Sequence, residues 1–140
     1  MFLPFELALK AALADAVPGA PIYGTFDEPD FEQHALVVQV AWQGYRVSAQ
    51  SAARTEAAVD QRFVVRIGAG AGAIDAVQVE RATTGLAELL RRVLAFRYGT
   101  GPGRVRPVLD APPPPAYQGA AVELAIHFTL PGVATAAPNA

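Results

Sequence analysis

Residues Asp60 to Asp75 read DQRFVVRIGAGAGAID. Phe63, Val65 and Ile67 alternate with Arg62 and Arg66, the period of a half-buried strand. The glycines behind them set two folds against each other. Gly68, Gly70 and Ala73 satisfy G-x-G-x-x-[G/A], the phosphate-cradling turn between strand and helix in a dinucleotide-binding fold. The same small residues would equally let a chain turn from a sheet into a helix. The neighbouring segments decide.

Upstream, Leu36, Val38, Val40 and Trp42 alternate with Gln39 and Gln43, which predicts a strand over Leu36 to Val47. The connection Ser48 to Gln61 is too long for a tight hairpin and too polar for a core, a length typical of functional loops or of a short helix. Downstream, Ile74, Val77, Leu86, Leu89, Leu90, Val93 and Leu94 predict a helix over Ile74 to Phe96, with Glu80, Arg81, Glu88, Arg91 and Arg92 on its wet side. Gly85 weakens that helix midway, and YGTGPG (Tyr98 to Gly103) ends it. RVRPVLD (Arg104 to Asp110) reads as a short strand whose Pro107, lacking a donor, favours a sheet edge. APPPPAY (Ala111 to Tyr117) reads as polyproline II. In the last strand Val122, Leu124, Ile126, Phe128 and Leu130 face inward, and Glu123, His127 and Thr129 outward.

At the other end, Phe5, Leu9, Leu13 and Ala16 predict a helix over residues 3–16, ended by VPGAP (Val17 to Pro21). A short strand at Ile22–Tyr23 and the acidic loop DEPDFE (Asp27 to Glu32) follow. Strands that succeed one another without helices pair antiparallel. The expected fold is therefore α+β: a mostly antiparallel sheet of four to five strands, with the N-terminal helix and one long helix packed on it. Residues 1–130 form the domain and 131–140 an extended tail. A dinucleotide fold needs repeated strand–helix–strand units, and this chain has one at most. Its glycine loop follows a strand that already pairs with a predecessor. Glu88, at the distance of a ribose-binding acid, sits on the wet helix face. The turn from sheet to helix is the preferred reading.

Composition narrows the function. The 140 residues, 52% hydrophobic and 17% charged, suit one folded domain. With no cysteine there is no disulfide scaffold, thiolate zinc site or cysteine nucleophile. The net charge of −2 gives no overall attraction to nucleic acid. Six acids face only Lys10 up to Val40, whereas ten arginines face seven acids beyond it. Arginine in place of lysine, amid so much alanine, reads first as GC-rich coding. No segment reaches the ~18–20 apolar residues of a membrane span. The first twenty residues read as an amphipathic helix rather than a signal peptide, so a cytoplasmic site of synthesis is expected.

No catalytic signature emerges. His34 has no second histidine near it, and His127, on one strand face with Glu123, fits a surface hydrogen bond better than a dyad. Ser48 and Ser51 lack a nucleophile-elbow sequence. DEPDFE lacks the alternating oxygens and central glycine of a calcium loop. Pro112 to Pro115 match PxxP but lie between strands of one domain, as a stiff connection would. Phe96, Tyr98, Arg104 and Arg106 mix rings and cations as single-strand binders do, without a basic surplus behind them. The expectation is a protein that is not an enzyme and takes no cofactor or metal.

Across nearly its whole length the chain resembles the tail terminator, or tail-completion, proteins of tailed bacteriophages. The likeness lies in ordered features: the amphipathic first helix, ALVVQVAWQGYRV, DQRFVVRIGAGAG, the TTGLAELLRRVLAF helix and PPPPAYQGAAVELAIHFTL. It implies a structural virion protein, assembled in the host cytoplasm, that forms a homo-hexameric ring on the head-proximal end of the tail. The ring would stop polymerisation of the tail tube protein and meet the head–tail connector or stopper protein. Genomic DNA would pass through it without sequence-specific binding, and no membrane is involved. The alternatives are another neck component, a connector or stopper, or a small nucleotide- or ligand-binding domain. In a ring, Asp27, Glu28, Asp30 and Glu32 would face arginines of a neighbour, such as Arg46, Arg54, Arg104 or Arg106. The 48–61 loop would reach toward the tube.

Overall fold

The computed structural model describes residues 2–31, 33–50, 57–70, 75–99, 104–111, 116–118 and 121–134. Their order is α1 (Leu3–Ala12), β1 (Ile22–Tyr23), β2 (Leu36–Gln50), β3 (Ala57–Gly70), α2 (Ala76–Ala95), β4 (Val108–Leu109), β5 (Ala116–Gln118) and β6 (Ala121–Ala134). The strands form one six-stranded sheet in the order β1-β2-β3-β6-β4, with β5 also paired to β6. All pairs are antiparallel except β1 with β2. The α+β architecture with two helices on a mostly antiparallel sheet is as expected. The β1–β2 pair is parallel because the twelve residues between the two strands carry the chain back before it re-enters the sheet.

Both helices cover one face. Phe5, Leu9 and Leu13 from the first helical segment and Leu89 and Val93 from α2 close over Val38, Val40, Phe63, Val65, Ile67, Ile126, Phe128 and Leu130. The rings of Phe63 and Phe128 stack across β3 and β6 at 6.0 Å. Such a core supplies most of the folding free energy, at roughly 25 cal/mol per Å² of apolar surface buried.

Several element bounds differ from the sequence reading. Helix α1 stops at Ala12 rather than near Ala16, where Asp15 takes a left-handed backbone (φ 60). Leu13 and Ala16 keep the expected burial without being helical. Helix α2 starts at Ala76 because Asp75 caps it, its carboxylate accepting from the Gln78 N–H at 2.8 Å. Val77 and Leu94, counted toward the buried stripe, face solvent. The expected strand over Arg104 to Asp110 reduces to β4, preceded by a bridge between Val105 and Tyr98. β4 does sit at the sheet edge, as Pro107 implied.

The largest revision concerns the long connection. β2 and β3 run on into it, pairing as far as Gln50 with Ala57. Most of the expected 48–61 loop is thus a hairpin; residues 51–56, which include Arg54, lie outside the described residues. β6 likewise continues past Leu130 to Ala134, so the first residues assigned to a tail belong to the sheet. Both outer strands bulge at one level. Gln43 and Gly44 (φ 101) of β2 together oppose Arg62, and Pro131 and Gly132 (φ 67) of β6 together oppose Asp60. Asp60 Oδ1 takes the Gly132 N–H at 3.0 Å. Two residues against one raises the local twist, and here it separates the helix-covered half of the sheet from a three-stranded arm.

Candidate interaction surface

The glycine stretch settles first. Gly68 and Gly70 are not a turn: they lie in β3, Gly68 opposite Val37 on one side and Glu123 on the other. A Cβ on Gly68 would stand 2.9 Å from the Phe31 ring. Gly68 lacks a side chain because Phe31 lies across it, which corrects the sheet-to-helix turn expected there. Ala73, the third position of the pattern, lies outside the described residues.

Phe31 is one of several clasps on the segment after β1. Glu6, buried in α1, accepts from the Thr25 N–H at 2.7 Å and from the Thr25 hydroxyl, whose oxygen accepts the Trp42 N–H at 2.9 Å. Gln39 Nε2 donates to the carbonyls of Gly24 (3.0 Å) and Asp27 (3.3 Å). Asp27 Oδ2 accepts from the Gly24 N–H at 2.7 Å, and the Asp30 N–H donates to the Tyr23 hydroxyl at 3.3 Å. The bonds to the Glu6 and Asp27 carboxylates are charge-assisted, and with the neutral ones they hold the loop in one shape. The shape projects Phe26, 86% exposed, with exposed Asp27 and Glu28 beside it. Asp30 is half-buried and accepts from the Gln33 N–H, and Glu32 lies outside the described residues.

The candidate arginines divide. Arg46, on the arm, is 81% exposed but reaches Asp60 of its own chain at 3.3 Å. Arg104 and Arg106 are exposed just before β4, and neither is bonded to another described residue. The acids border β1 and these two arginines border β4, at opposite ends of the strand order. Within one chain they do not meet.

On the sheet face away from the helices, Arg66 pairs with Glu123 at 3.7 Å, so Glu123 is engaged by arginine rather than by His127. Burial first, then the charges of Arg66 and Arg62, push the His127 pKa below its ordinary value, against a smaller pull from Asp110. A polar basin of about 590 Å³ lies alongside, lined among others by Gln43, Arg46, Asp60, Arg62, Asp110 and Thr129. Its acids are occupied: Asp60 by Arg46 and the Gly132 N–H, Asp110 by the Thr129 hydroxyl at 3.1 Å. Among the described residues no three His, Cys, Asp or Glu side chains gather as metal ligands would, and no helix is long and apolar enough to cross a membrane.

The sequence reading missed Phe26 and the outward face of α1. Leu3, Leu7 and Ala11 are exposed, and the only acid within α1, Glu6, points inward. The signal was present, since a helix apolar on both sides expects a cover on both sides.

No family model matches the sequence, and neither does any curated protein. Among solved structures, the fold is similar to the sheath/tube terminator of an extracellular contractile injection system, PVC, seen in its extended state by cryo-electron microscopy. The TM-score is 0.55 at 12% identity, over 98% of this chain and 57% of that one. The likeness is one of fold, and this chain spans little more than half the length of that protein.

Proposed function

We propose that this protein is a tail terminator: a structural subunit, without chemistry of its own, that caps the end of a tail tube and stops its growth. One observation carries the reading. Nearly the whole chain, helices and arm included, shares its fold with a protein whose described role is sheath and tube termination. The residue patterns that resemble phage tail-completion proteins support the same conclusion from the sequence side.

In its finer form the reading is a homo-hexameric ring at the head-proximal end of a phage tail, touching tube protein below and a connector or stopper above, with the genome passing through. The fold likeness to a sheath/tube terminator adds a second setting, a contractile particle in which sheath is a further partner. The test is deletion of the gene from the parent particle, followed by electron microscopy. Tubes of uncontrolled length are the expected result, with heads left unattached in the phage setting. Normal particles would overturn the reading.

A further inference from the structure

The two ends of the sheet carry surfaces that match each other. Beside β1, Phe26 projects with Asp27 and Glu28 next to it, and the exposed Leu3 and Leu7 of α1 lie alongside, joined to this loop through the Phe2–Phe26 ring contact (6.0 Å) and the Glu6–Thr25 bonds. At β4, Val108 and Leu109 are 54% and 40% exposed, with Arg104 and Arg106 just before them. The β1 loop presents acids beside its apolar side chains, and the segment entering β4 presents arginines; Asp110, after Leu109, is half-buried and accepts from the Thr129 hydroxyl, and Lys10 of α1 is half-buried. Scattered exposed leucines mean little, but apolar side chains grouped with an unneutralised charge mark a contact surface.

The two patches cannot meet within one chain. The sheet order puts four strand spacings between β1 and β4, about 20 Å. A second copy can satisfy both. We propose that the β1 end of one subunit docks on the β4 end of the next, Asp27 and Glu28 facing Arg104 and Arg106, and Phe26 covering Val108 and Leu109. This rests on the ring-forming terminator reading and names its subunit contact. The contact is heterologous, so it repeats around a ring. Arg46 takes no part, because Asp60 of its own chain already holds it.

Charge reversal tests this directly. One variant carries Asp27→Arg and Glu28→Arg, the other Arg104→Glu and Arg106→Glu. Each then has two ends of like charge, and association should weaken roughly tenfold or more. Mixed one to one, the variants present opposite charges again at every contact, and an alternating assembly should return. The readout is sedimentation velocity of each variant, of the mixture and of the wild type. Asp27 also braces its own loop, so Asp27→Arg could loosen it; the Arg104→Glu, Arg106→Glu variant loses no bond among the described residues and keeps the test valid. Variants that assemble like the wild type, a mixture that stays apart, or a wild type that remains monomeric would each overturn the contact. None of these results touches the tube-length experiment. Conversely, edge-dependent assembly by a chain whose deletion leaves tubes normal would keep the contact and remove the terminator role.

Discussion

At Gly85 two rules of helix chemistry point in opposite directions. Glycine inside a helix costs about 1 kcal/mol relative to alanine, so Gly85→Ala should stabilise an isolated α2. In the folded chain, however, an added Cβ would stand 2.7 Å from Val17 Cγ2 and 3.0 Å from Ile67 Cδ1. Forcing a methyl into such a contact costs about 1–3 kcal/mol, so the clash wins and Gly85→Ala should be destabilising overall. Chemical denaturation would measure it, and Val17→Ala in the same chain should recover much of the loss; a stabilised single variant would refute the argument. The same lesson holds at Gly68. Its spacing in the sequence suggested a loop, while its cause is the Phe31 ring from a segment some forty residues earlier. Local pattern shows that a small residue stands there; only the tertiary neighbour says why.

At the level of elements, the two helices are fastened by one charged cluster. Glu88 accepts from Arg91 at 2.6 and 2.9 Å and from Arg92 at 2.9 Å, and Arg92 in turn donates to the carbonyls of Ala12 and Ala14 where α1 ends. Those carbonyls have no partner within their own helix, so Arg92 serves as a cap supplied by α2. Hydrogen bonds from Arg91 and Arg92 lower the Glu88 pKa from 4.5 to about 2. A depressed folded-state pKa means stability that is full above the ordinary value and is lost as pH falls toward the folded one. Glu88→Gln should therefore lower Tm at pH 7, and the gap to the wild type should close between about pH 4.5 and pH 2. Added salt should narrow the gap at neutral pH, because the cluster is solvent-facing. A gap independent of pH would show that the carboxylate charge is not what matters. None of this linkage was visible in sequence, where Glu88, Arg91 and Arg92 looked only like a wet helix face. The strands were more legible. Alternation located β2, β3 and β6 correctly, but it faded in the alanine- and glutamine-rich stretches past Val47 and before Phe63, where the ladder continues and where Val59 and the polar Gln61 are buried without an apolar pattern to announce it.

For the whole molecule, what the sequence could not supply was which ends of the sheet are left open. The excess of acid before Val40 and of arginine after it is plain in the chain, but only the strand order shows that Asp27 and Glu28 border one edge of the sheet and Arg104 and Arg106 the other. The fold also brings Arg46 to an acid of its own chain, Asp60, while leaving it 81% exposed. Two different, complementary ends on one rigid body leave two possible outcomes. If the rotation between neighbours closes, the product is a ring of one size; if it does not, the product is an open filament with a ladder of sizes. A terminator must close, since an open polymer would offer a fresh end after every addition and could not cap a tube. Native mass spectrometry across a concentration series should therefore find one dominant closed species, which grows in proportion but not in size as concentration rises; the proposed ring makes that species a hexamer. A continuous ladder of oligomers would mean that these edges build a polymer, a result incompatible with a capping ring.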